Sequence, residues 1–139
     1  MELTNRLLKI NKEKHITDEI LSIYSIGNKT VGMQEFNSKE SYSWNIDIDE
    51  IYKQLRNAGY RNFFKVQDMV FNLNYVDSCC IQTHPNIADS KGMYSLLINI
   101  KDGSKHRFGF NSHIDAERYF KAINIEMKCL QEENKDINV

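Results

Sequence analysis

The sequence runs through the same series of patterns twice, and this repetition restricts the folds that the chain can adopt. In each half, short runs rich in β-branched and aromatic residues are separated by turn residues, and an amphipathic helical pattern follows them. Lys9-Ile10 aligns with Lys65-Val66, and Ile20–Ile23 aligns with Val76–Cys79, both at an offset of 56 positions. The repetition predicts an α+β fold made of two strand-rich meander units, each followed by an amphipathic helix.

The two copies of the repeat span residues 6–59 and 62–130, and a polar tail over residues 131–139 follows the second copy. Farther along, Trp44-Asn45 aligns with Phe110-Asn111 at an offset of 66 positions. The extra residues fit into the polar segment 82–92, because the entropy of closing a loop grows slowly with its length. Common ancestry and chance convergence on one shape are both open explanations of the repeat.

A length of 139 residues predicts one domain over residues 1–139, because domains most often have roughly 100–150 residues. The net charge of -1 gives no basic half that would indicate a polyanion as partner. Met1–Arg6 lacks the basic start and the apolar run of a secretory signal, and no stretch reaches membrane-spanning length. We therefore expect a cytoplasmic protein that does not enter a membrane. Cys79, Cys80 and Cys129 form no CxxC pair and are expected as free thiols.

Periodicity and turn residues predict the positions of the strands and of the first helix. The first helix is predicted from Asp47 to Ala58, with Asp47 and Glu50 forming a capping box and Gly59 ending the helix. A hairpin turn is predicted at Lys101–Ser104, which contains an Asp-Gly pair. The predicted strands are Leu7–Ile10, Glu19–Tyr24, Thr30–Phe36, Ser41–Trp44, Phe63–Val66, Met69–Leu73, Tyr75–Ile81, Met93–Ile100 and Lys105–Phe110.

The second helical pattern begins at Ser112 and Asp115, which can cap it, and it carries one apolar seam. The seam consists of Ala116, Phe120, Ile123, Met127 and Leu130. This seam can pack on the sheet of its own chain, or it can join two chains in a homodimer. The second half alone, with three strands and a closing helix, also resembles a pleckstrin-homology-like domain.

From Leu7 to about Phe120, the chain resembles the LytTR-type DNA-binding domain of bacterial response regulators. The resemblance rests mainly on Phe63–Val76, where an aromatic pair, a basic residue and a polar loop precede an apolar strand that ends in Asn. It implies an almost all-β fold that inserts loops into successive major grooves of DNA. On this chain those loops correspond to Asn28, Lys29 and Thr30, to Lys65–Asp68, and to Asn111, Ser112 and His113.

Two of these loops depart from the family's pattern. Gln67-Asp68 stands where the family has a histidine, a basic residue and a serine. Asn111-Ser112-His113 stands in place of the family's closing Ser-Arg step. The Asp68 carboxylate also has the wrong sign of charge for a phosphate contact.

Duplex DNA is bound by cations that contact phosphates and by planar groups that read base edges. Our candidate DNA-binding residues are Asn28, Lys29, Thr30, Lys65, Gln67, Lys105, Arg107, Asn111 and His113. Ordinary solvated turns would have the same composition, because polar loops occur in any β protein. The aromatic residues Tyr42, Trp44, Phe108 and Phe110 alternate with small or polar residues, which favours core packing over base stacking.

No pattern in the sequence indicates catalysis or a metal site. The four histidines are scattered, none forms a His-x-x-x-His pair, and no cysteine lies at structural-zinc spacing from another. Neither a glycine-rich phosphate loop nor a nucleophile elbow is present. We therefore predict a non-enzymatic protein with no cofactor and no metal.

Two hypotheses about function follow from these observations. The first is a bacterial or phage transcription regulator that docks LytTR-like loops on duplex DNA, as the Phe63–Val76 match implies. The alternative is a module that binds a protein partner or sequesters a small ligand, with a pleckstrin-homology-like sheet and a C-terminal helix. The net charge near zero and the altered loops favour the alternative.

Overall fold

The structure is a computed structural model that describes residues 2–4, 7–10, 13–27, 29–36, 38, 41–83 and 94–137. The backbone forms two compact units, with the boundary between Asn72 and Leu73. Each unit contains an antiparallel meander that leads into an α-helix. The predicted α+β class, with two meanders and a helix after each, is confirmed.

The first unit opens with three short antiparallel strands. They are β1 (Glu2–Thr4), β2 (Leu7–Ile10) and β3 (Glu13–Ile16), in the sheet order β1-β2-β3. A 3₁₀ turn over Thr17–Glu19 follows them. Two of these strands were not predicted, because Glu2–Thr4 is too short to show a period and Glu13–Ile16 has a single apolar residue.

The main sheet of the first unit has five antiparallel strands. They are β4 (Ile20–Gly27), β5 (Thr30–Glu35), β6 (Ser41–Trp44), β7 (Phe63–Val66) and β8 (Met69–Asn72), in the order β6-β5-β4-β8-β7. β4 pairs with β5 on one side and with β8 on the other, where Ser22 lies opposite Phe71 and Ile23 opposite Val70. Two strands that follow the helix therefore complete the sheet that precedes it.

The helix α1 (Ile48–Asn57) buries one apolar stripe in the core of the first unit. Ile48, Ile51 and Leu55 recur at three- and four-residue spacing, and all three are buried. Their partners in the core are the sheet residues Ile20, Ile23, Val31, Met33, Trp44, Phe63 and Val70. Full burial of an aliphatic or aromatic side chain contributes about 1.5–3 kcal/mol, so this cluster accounts for much of the stability of the unit.

The ends of α1 largely follow the predicted capping. The Asp47 carboxylate accepts a hydrogen bond from the Asp49 backbone N–H at 2.9 Å, and Gly59 adopts φ +90 just after the helix. Glu50 was expected to complete a capping box, but its Oε1 accepts a hydrogen bond from Gln54 Nε2 at 3.0 Å instead. Asp47 is therefore an N-cap whose bond goes to the second helical residue.

A buried amide network ties β8 to the start of β4. Asn72 Nδ2 donates to the Ile20 carbonyl at 2.8 Å, and Asn72 Oδ1 accepts from Asn62 Nδ2 at 3.0 Å. Asn72 is completely buried and Asn62 nearly so. Buried polar groups are costly unless they are hydrogen-bonded, so this network fixes one arrangement of the two strands.

The second unit is a three-stranded antiparallel sheet covered by a long helix. After a 3₁₀ turn over Leu73–Tyr75 come β9 (Val76–Thr83), β10 (Tyr94–Ile100), β11 (Lys105–Phe110) and α2 (His113–Ile137), with the sheet order β11-β10-β9. The helix contacts all three strands and the 3₁₀ turn. Ala116 and Ile123 of the apolar seam are fully buried, so the seam packs on the sheet of its own unit.

The turn between β10 and β11 has the predicted Asp-Gly chemistry. Asp102 Oδ1 accepts hydrogen bonds from the Ser104 hydroxyl at 2.6 Å and from the Ser104 N–H at 2.8 Å. These bonds hold the pKa of the Asp102 carboxyl below its ordinary value. Gly103 adopts φ +94, a conformation that favours glycine.

Some predicted boundaries differ from the observed ones. β4 continues to Gly27 rather than ending at Tyr24, because Ser25 and Gly27 pair with Val31 and Thr30 of β5. The Ser25 N–H also donates to the Asp68 carbonyl at 2.9 Å on the other side of the strand. The predicted loop 82–92 begins later, since β9 runs through Thr83, and residues 84–92 lie outside the described residues. α2 continues to Ile137, so the predicted polar tail is helical to that residue.

The secondary structure repeats at the offset found in the sequence. Four pairs of elements start and end 56 positions apart: β2 with β7, β3 with β8, the 3₁₀ turn at Thr17–Glu19 with the one at Leu73–Tyr75, and β4 with β9. A meander and a helix then follow in both halves. The β7–β8 hairpin belongs to the second copy in sequence, yet its strands complete the sheet of the first unit.

Replacing Asn72 with leucine should destabilise the first unit. The side chain keeps a similar size, but the Ile20 carbonyl and the Asn62 amide lose their buried partner, which costs about 1–3 kcal/mol. Urea unfolding followed by circular dichroism measures the loss. Asn57→Leu, at an exposed position near the end of α1, is the matched control. Equal stability of the two variants would contradict the role of this network.

Candidate functional site

Two of the loops that the LytTR resemblance places on DNA lie at one end of the five-stranded sheet. The β4–β5 turn contains Lys29 and Thr30, and the β7–β8 turn contains Gln67 and Asp68. β4 and β8 are adjacent and antiparallel, so the end of β4 lies beside the start of β8. We call this region the loop end; it also includes Asn45–Asp47, since the Thr30 hydroxyl donates to Asn45 Oδ1 at 3.4 Å.

Both turns of the loop end contain a residue with a left-handed backbone. Lys29 has φ 56 and Gln67 has φ 53, and neither is a glycine. Non-glycine residues adopt this conformation uncommonly, and then mostly in tight turns. The tight turns expose the Lys29 and Gln67 side chains to solvent. Asn28, the remaining candidate of the first turn, lies outside the described residues.

The charges around the loop end disfavour a polyanion. Lys29 and Lys65 are accompanied by the carboxylates of Asp47, Asp49 and Asp68. Lys65 Nζ lies 2.9 Å from Asp49 Oδ1, so this cation is already engaged by a carboxylate. Phosphate binding depends on cations that replace counterions, and acidic neighbours reduce that gain. The charges of the described residues at the loop end therefore do not favour DNA binding.

A depression of about 480 Å³ lies at the loop end. Its described lining residues are Ser25, Gly27, Lys29, Thr30, Asp47 and Ile48. A second depression, of about 240 Å³, lies in the second unit against Leu73, Val76, Met127 and Leu130. Ligand sites are usually about 300–1,000 Å³ and predominantly apolar. The first depression is large enough but largely polar, and the second is small and is also lined by Asn74, Lys101 and Gln131, so neither favours a small-ligand site.

The remaining candidate residues lie in the second unit. Lys105 and Arg107 are exposed on β11, at alternate positions that share one side of the strand. Asn111 is exposed just before α2. His113 opens α2, where its ring packs edge-on against Tyr94 with centroids 5.3 Å apart and its Nδ1 lies 3.6 Å from Glu117 Oε2.

The aromatic strand residues serve mainly the cores. Trp44 and Phe108 are buried, and Tyr42 stacks on Trp44 with centroids 6.0 Å apart. Phe110 packs against Tyr119 of α2 with centroids 5.3 Å apart. Tyr42 and Phe110 are half-buried and none of the four is fully exposed, which agrees with the predicted core role.

The sequence interpretation did not identify the edge strand β9 as a candidate site. β9 has eight residues, and among the described strands its partner in the sheet is β10, so its other side ends the sheet. The opposite edge strand, β11, carries Lys105 and Arg107, which is how many proteins prevent strand pairing. β9 has no lysine, arginine or proline, and Asp77 is its sole charged residue.

The direction of the backbone groups on β9 follows from the pairing register. The Ile100 N–H donates to the Ser104 carbonyl of the β10–β11 hairpin. Because alternate residues of a strand direct their backbone groups to the same side, Ile98 and Leu96 also bond toward β11. Their neighbours Leu97 and Asn99 therefore bond to β9, where they lie opposite Cys80 and Ser78. The alternate residues Cys79, Ile81 and Thr83 must direct their N–H and C=O groups outward.

The two adjacent cysteines of β9 have different environments. Cys79 is buried on the side covered by α2, and burial raises the pKa of its thiol to about 11, with a smaller contribution from Cys80 and an opposing hydrogen bond with Asn124. Cys80 is exposed. All three cysteines are free, as predicted. The pair therefore provides one inert thiol and one accessible thiol on the same strand.

Comparisons with other proteins add no assignment for this site. No known family model matches the chain, and no curated protein sequence matches it. Within the described ranges, no cluster of three or more histidine, cysteine or acidic residues could hold a metal ion. Neither α-helix in the described part of the chain has the length and apolar character that a membrane span requires.

Alkylation of the folded protein at pH 8 should modify Cys80 well before Cys79. The thiolate is the reactive form, and a thiol pKa of about 11 instead of 9.0 leaves roughly a hundredfold less thiolate on Cys79, in addition to its burial. Peptide mass spectrometry after timed treatment with iodoacetamide measures both rates. The same reaction in urea should remove the difference. Comparable rates in the folded protein would contradict the observed burial.

Proposed function

We propose that this chain is a non-enzymatic interaction module whose strand β9 accepts an extended segment of a protein partner. The proposal rests on the difference in charge between the two edge strands of the sheet in the second unit. β11 is protected by Lys105 and Arg107, whereas β9 presents eight residues with a single charge. An edge strand of this kind is a template for pairing with another chain.

The covered face of the sheet supports strand addition rather than binding to a surface groove. α2 packs on one face through its buried seam, so an added strand would extend a sheet that already has a core. Cys79 and Ile81 lie on that covered side, opposite Ile98 and Leu96. Apolar residues of an incoming strand would continue this row, which gives the site a preference for alternating sequences.

The expected affinity is modest. Cys79, Ile81 and Thr83 direct six backbone groups outward, and six hydrogen bonds at about 0.5–1.5 kcal/mol each contribute roughly 3–9 kcal/mol. Association costs an estimated 4–15 kcal/mol in lost freedom of motion. Backbone pairing alone therefore does not produce tight binding, and side-chain contacts must select the partner. We expect a reversible interaction.

Docking on duplex DNA is the second candidate function. It is favoured by the position of the β4–β5 and β7–β8 turns at the same end of the sheet, where the Ser25 N–H near the end of β4 donates to the Asp68 carbonyl of the β7–β8 turn. It is weakened by Asp47, Asp49 and Asp68 around the same end of the sheet. The protein-interaction proposal therefore takes precedence, and DNA binding stays a prediction with its own test.

Ile81→Pro should abolish strand addition at β9. Proline removes an outward N–H but no hydrogen bond to β10, so the sheet can keep its register. Peptides selected from a random displayed library on the dilute wild-type chain should bind this variant at least about tenfold more weakly, a loss of ~1.4 kcal/mol or more.

Arg107→Pro is the matched control for this variant, because it removes an outward N–H from the opposite edge strand. It should retain peptide binding, and circular dichroism should show that both variants are folded. Recovery of no peptide, or equal binding to wild type and Ile81→Pro, would reject β9 as the binding edge.

The DNA hypothesis predicts binding that weakens steeply with salt. If Lys29 contacts a phosphate, Lys29→Glu should weaken binding to all duplex sequences and reduce the slope of log affinity against log salt by about one. Fluorescence anisotropy with duplexes selected from a random pool measures both. Lys53→Glu, an exposed position on α1, makes the same charge change away from the loop end. An affinity independent of salt, or an equal effect of the two variants, would remove this candidate.

A further inference from the structure

The chain contains two equivalent hairpins but uses them differently. In the first unit, β4 is paired on one side with β5 and on the other with β8, which brings the β7–β8 hairpin into the sheet. β9 is the equivalent of β4, 56 positions later, and β10 pairs with one side of it. By the same offset, the hairpin equivalent to β7–β8 is β2–β3, which lies in a separate sheet with β1.

The sequences of the equivalent hairpins support this correspondence. β2 reads Leu-Leu-Lys-Ile and β7 reads Phe-Phe-Lys-Val, so apolar residues and a single lysine occupy matching positions. Both hairpins join strands of four residues, and in both the second strand is followed at once by a 3₁₀ turn. Two hairpins with the same strand lengths, order and polarity pattern can make the same kind of edge contact.

We infer that β9 of one molecule pairs with β3 of a second copy of this chain, so that the sheet extends in the order β11-β10-β9-β3-β2. This inference rests on the proposed role of β9 as an accepting edge and names its partner. The result would repeat, between two molecules, the order β6-β5-β4-β8-β7 that the first unit already has. We infer that the two copies exchange hairpins reciprocally, so that both β9 edges are paired within one symmetric dimer.

The register of this pairing follows from the β4–β8 pair. Ser22, Ile23 and Tyr24 lie opposite Phe71, Val70 and Met69. β9 follows its equivalent β4 by 56 positions, and β3 precedes its equivalent β8 by 56 positions. The same register therefore places Ser78, Cys79 and Cys80 opposite His15, Lys14 and Glu13 of the second copy. The hydrogen-bond directions agree, because Ser25 of β4 donates to the β8 side and its equivalent, Ile81, directs its N–H outward from β9.

The polar residues of β3 make the β9–β3 contact weaker than the β4–β8 contact within the chain. β8 contributes Val70 and Phe71, both buried, to the first sheet, whereas the equivalent positions of β3 are Lys14 and His15. Less apolar area is removed from water, so most of the added stability must come from backbone hydrogen bonds and from β2. We therefore infer a dimer in rapid exchange with monomer rather than a permanent one.

Disulfide trapping tests both the partner and the register. Glu13 and Cys80 occupy a non-hydrogen-bonded pair, where Cα atoms are close enough for a disulfide. A Glu13→Cys variant of the full chain, in a Cys129→Ser background, should form a covalent dimer on mild oxidation. Lys14→Cys is the matched control, since it stands opposite the buried Cys79. We expect about fivefold or more covalent dimer from Glu13→Cys, and its loss when Cys80 is replaced by serine.

The products distinguish the possible occupants of the edge. A disulfide between positions 13 and 80 within one chain would mean that the hairpin occupies its own β9, and it would overturn the second copy as partner. Absence of any disulfide with Cys80, or equal trapping by both variants, would overturn the register.

Sedimentation of the wild-type chain gives a readout that needs no new cysteine. The dimer fraction should rise with protein concentration and fall in Ile81→Pro but not in Arg107→Pro. A monomer at every concentration would reject the dimer. Peptide binding to β9 would still stand in that case, whereas loss of both would reject the proposed function as well.

Discussion

The pairing of β4 on both sides is the interaction on which the architecture of the first unit depends. Residues 20–27 would form the edge of a three-stranded meander if the chain stopped after α1. The β7–β8 hairpin changes that edge into the centre of a five-stranded sheet, and Ile20 and Ile23 become fully buried. The Asn62–Asn72–Ile20 network then makes this arrangement specific, since a shift of one residue would leave three buried polar groups without partners.

The two units contain the same order of elements but differ in how their edge strands are paired. Both have a 3₁₀ turn, a meander and a helix whose apolar stripe closes one face of the sheet. In the first unit a hairpin satisfies the far side of the central strand, while in the second unit β9 ends the sheet. This difference in edge pairing, rather than any cluster of reactive side chains, is what motivates an interaction role.

Local patterns predicted the elements of the fold well where alternation and turn chemistry coincide. Ser41–Trp44 and Lys105–Phe110 have the predicted bounds, because large apolar residues alternate with polar ones in each strand. Phe63–Val66 also has the predicted bounds, because it is rich in aromatic and β-branched residues. Glu13–Ile16 was missed because its residues are mostly polar. The junction of the two turns at the loop end depends on β8 pairing with β4 across roughly 50 residues, and no local period encodes which strands become neighbours. The single domain, the LytTR relationship and the DNA-binding residues stay predictions.

The boundary between the two sequence repeats differs from the boundary between the two compact units, and this matters when the chain is divided into fragments. The sequence repeat suggests dividing the chain near residue 61, between the two copies. A fragment ending there would lack β7 and β8, so Ile20 and Ile23 would lie on an unpaired edge strand. A cut after Asn72 keeps the first sheet whole and separates the compact bodies instead. The structural units are therefore offset from the sequence repeats, and neither repeat contains all the strands of one sheet.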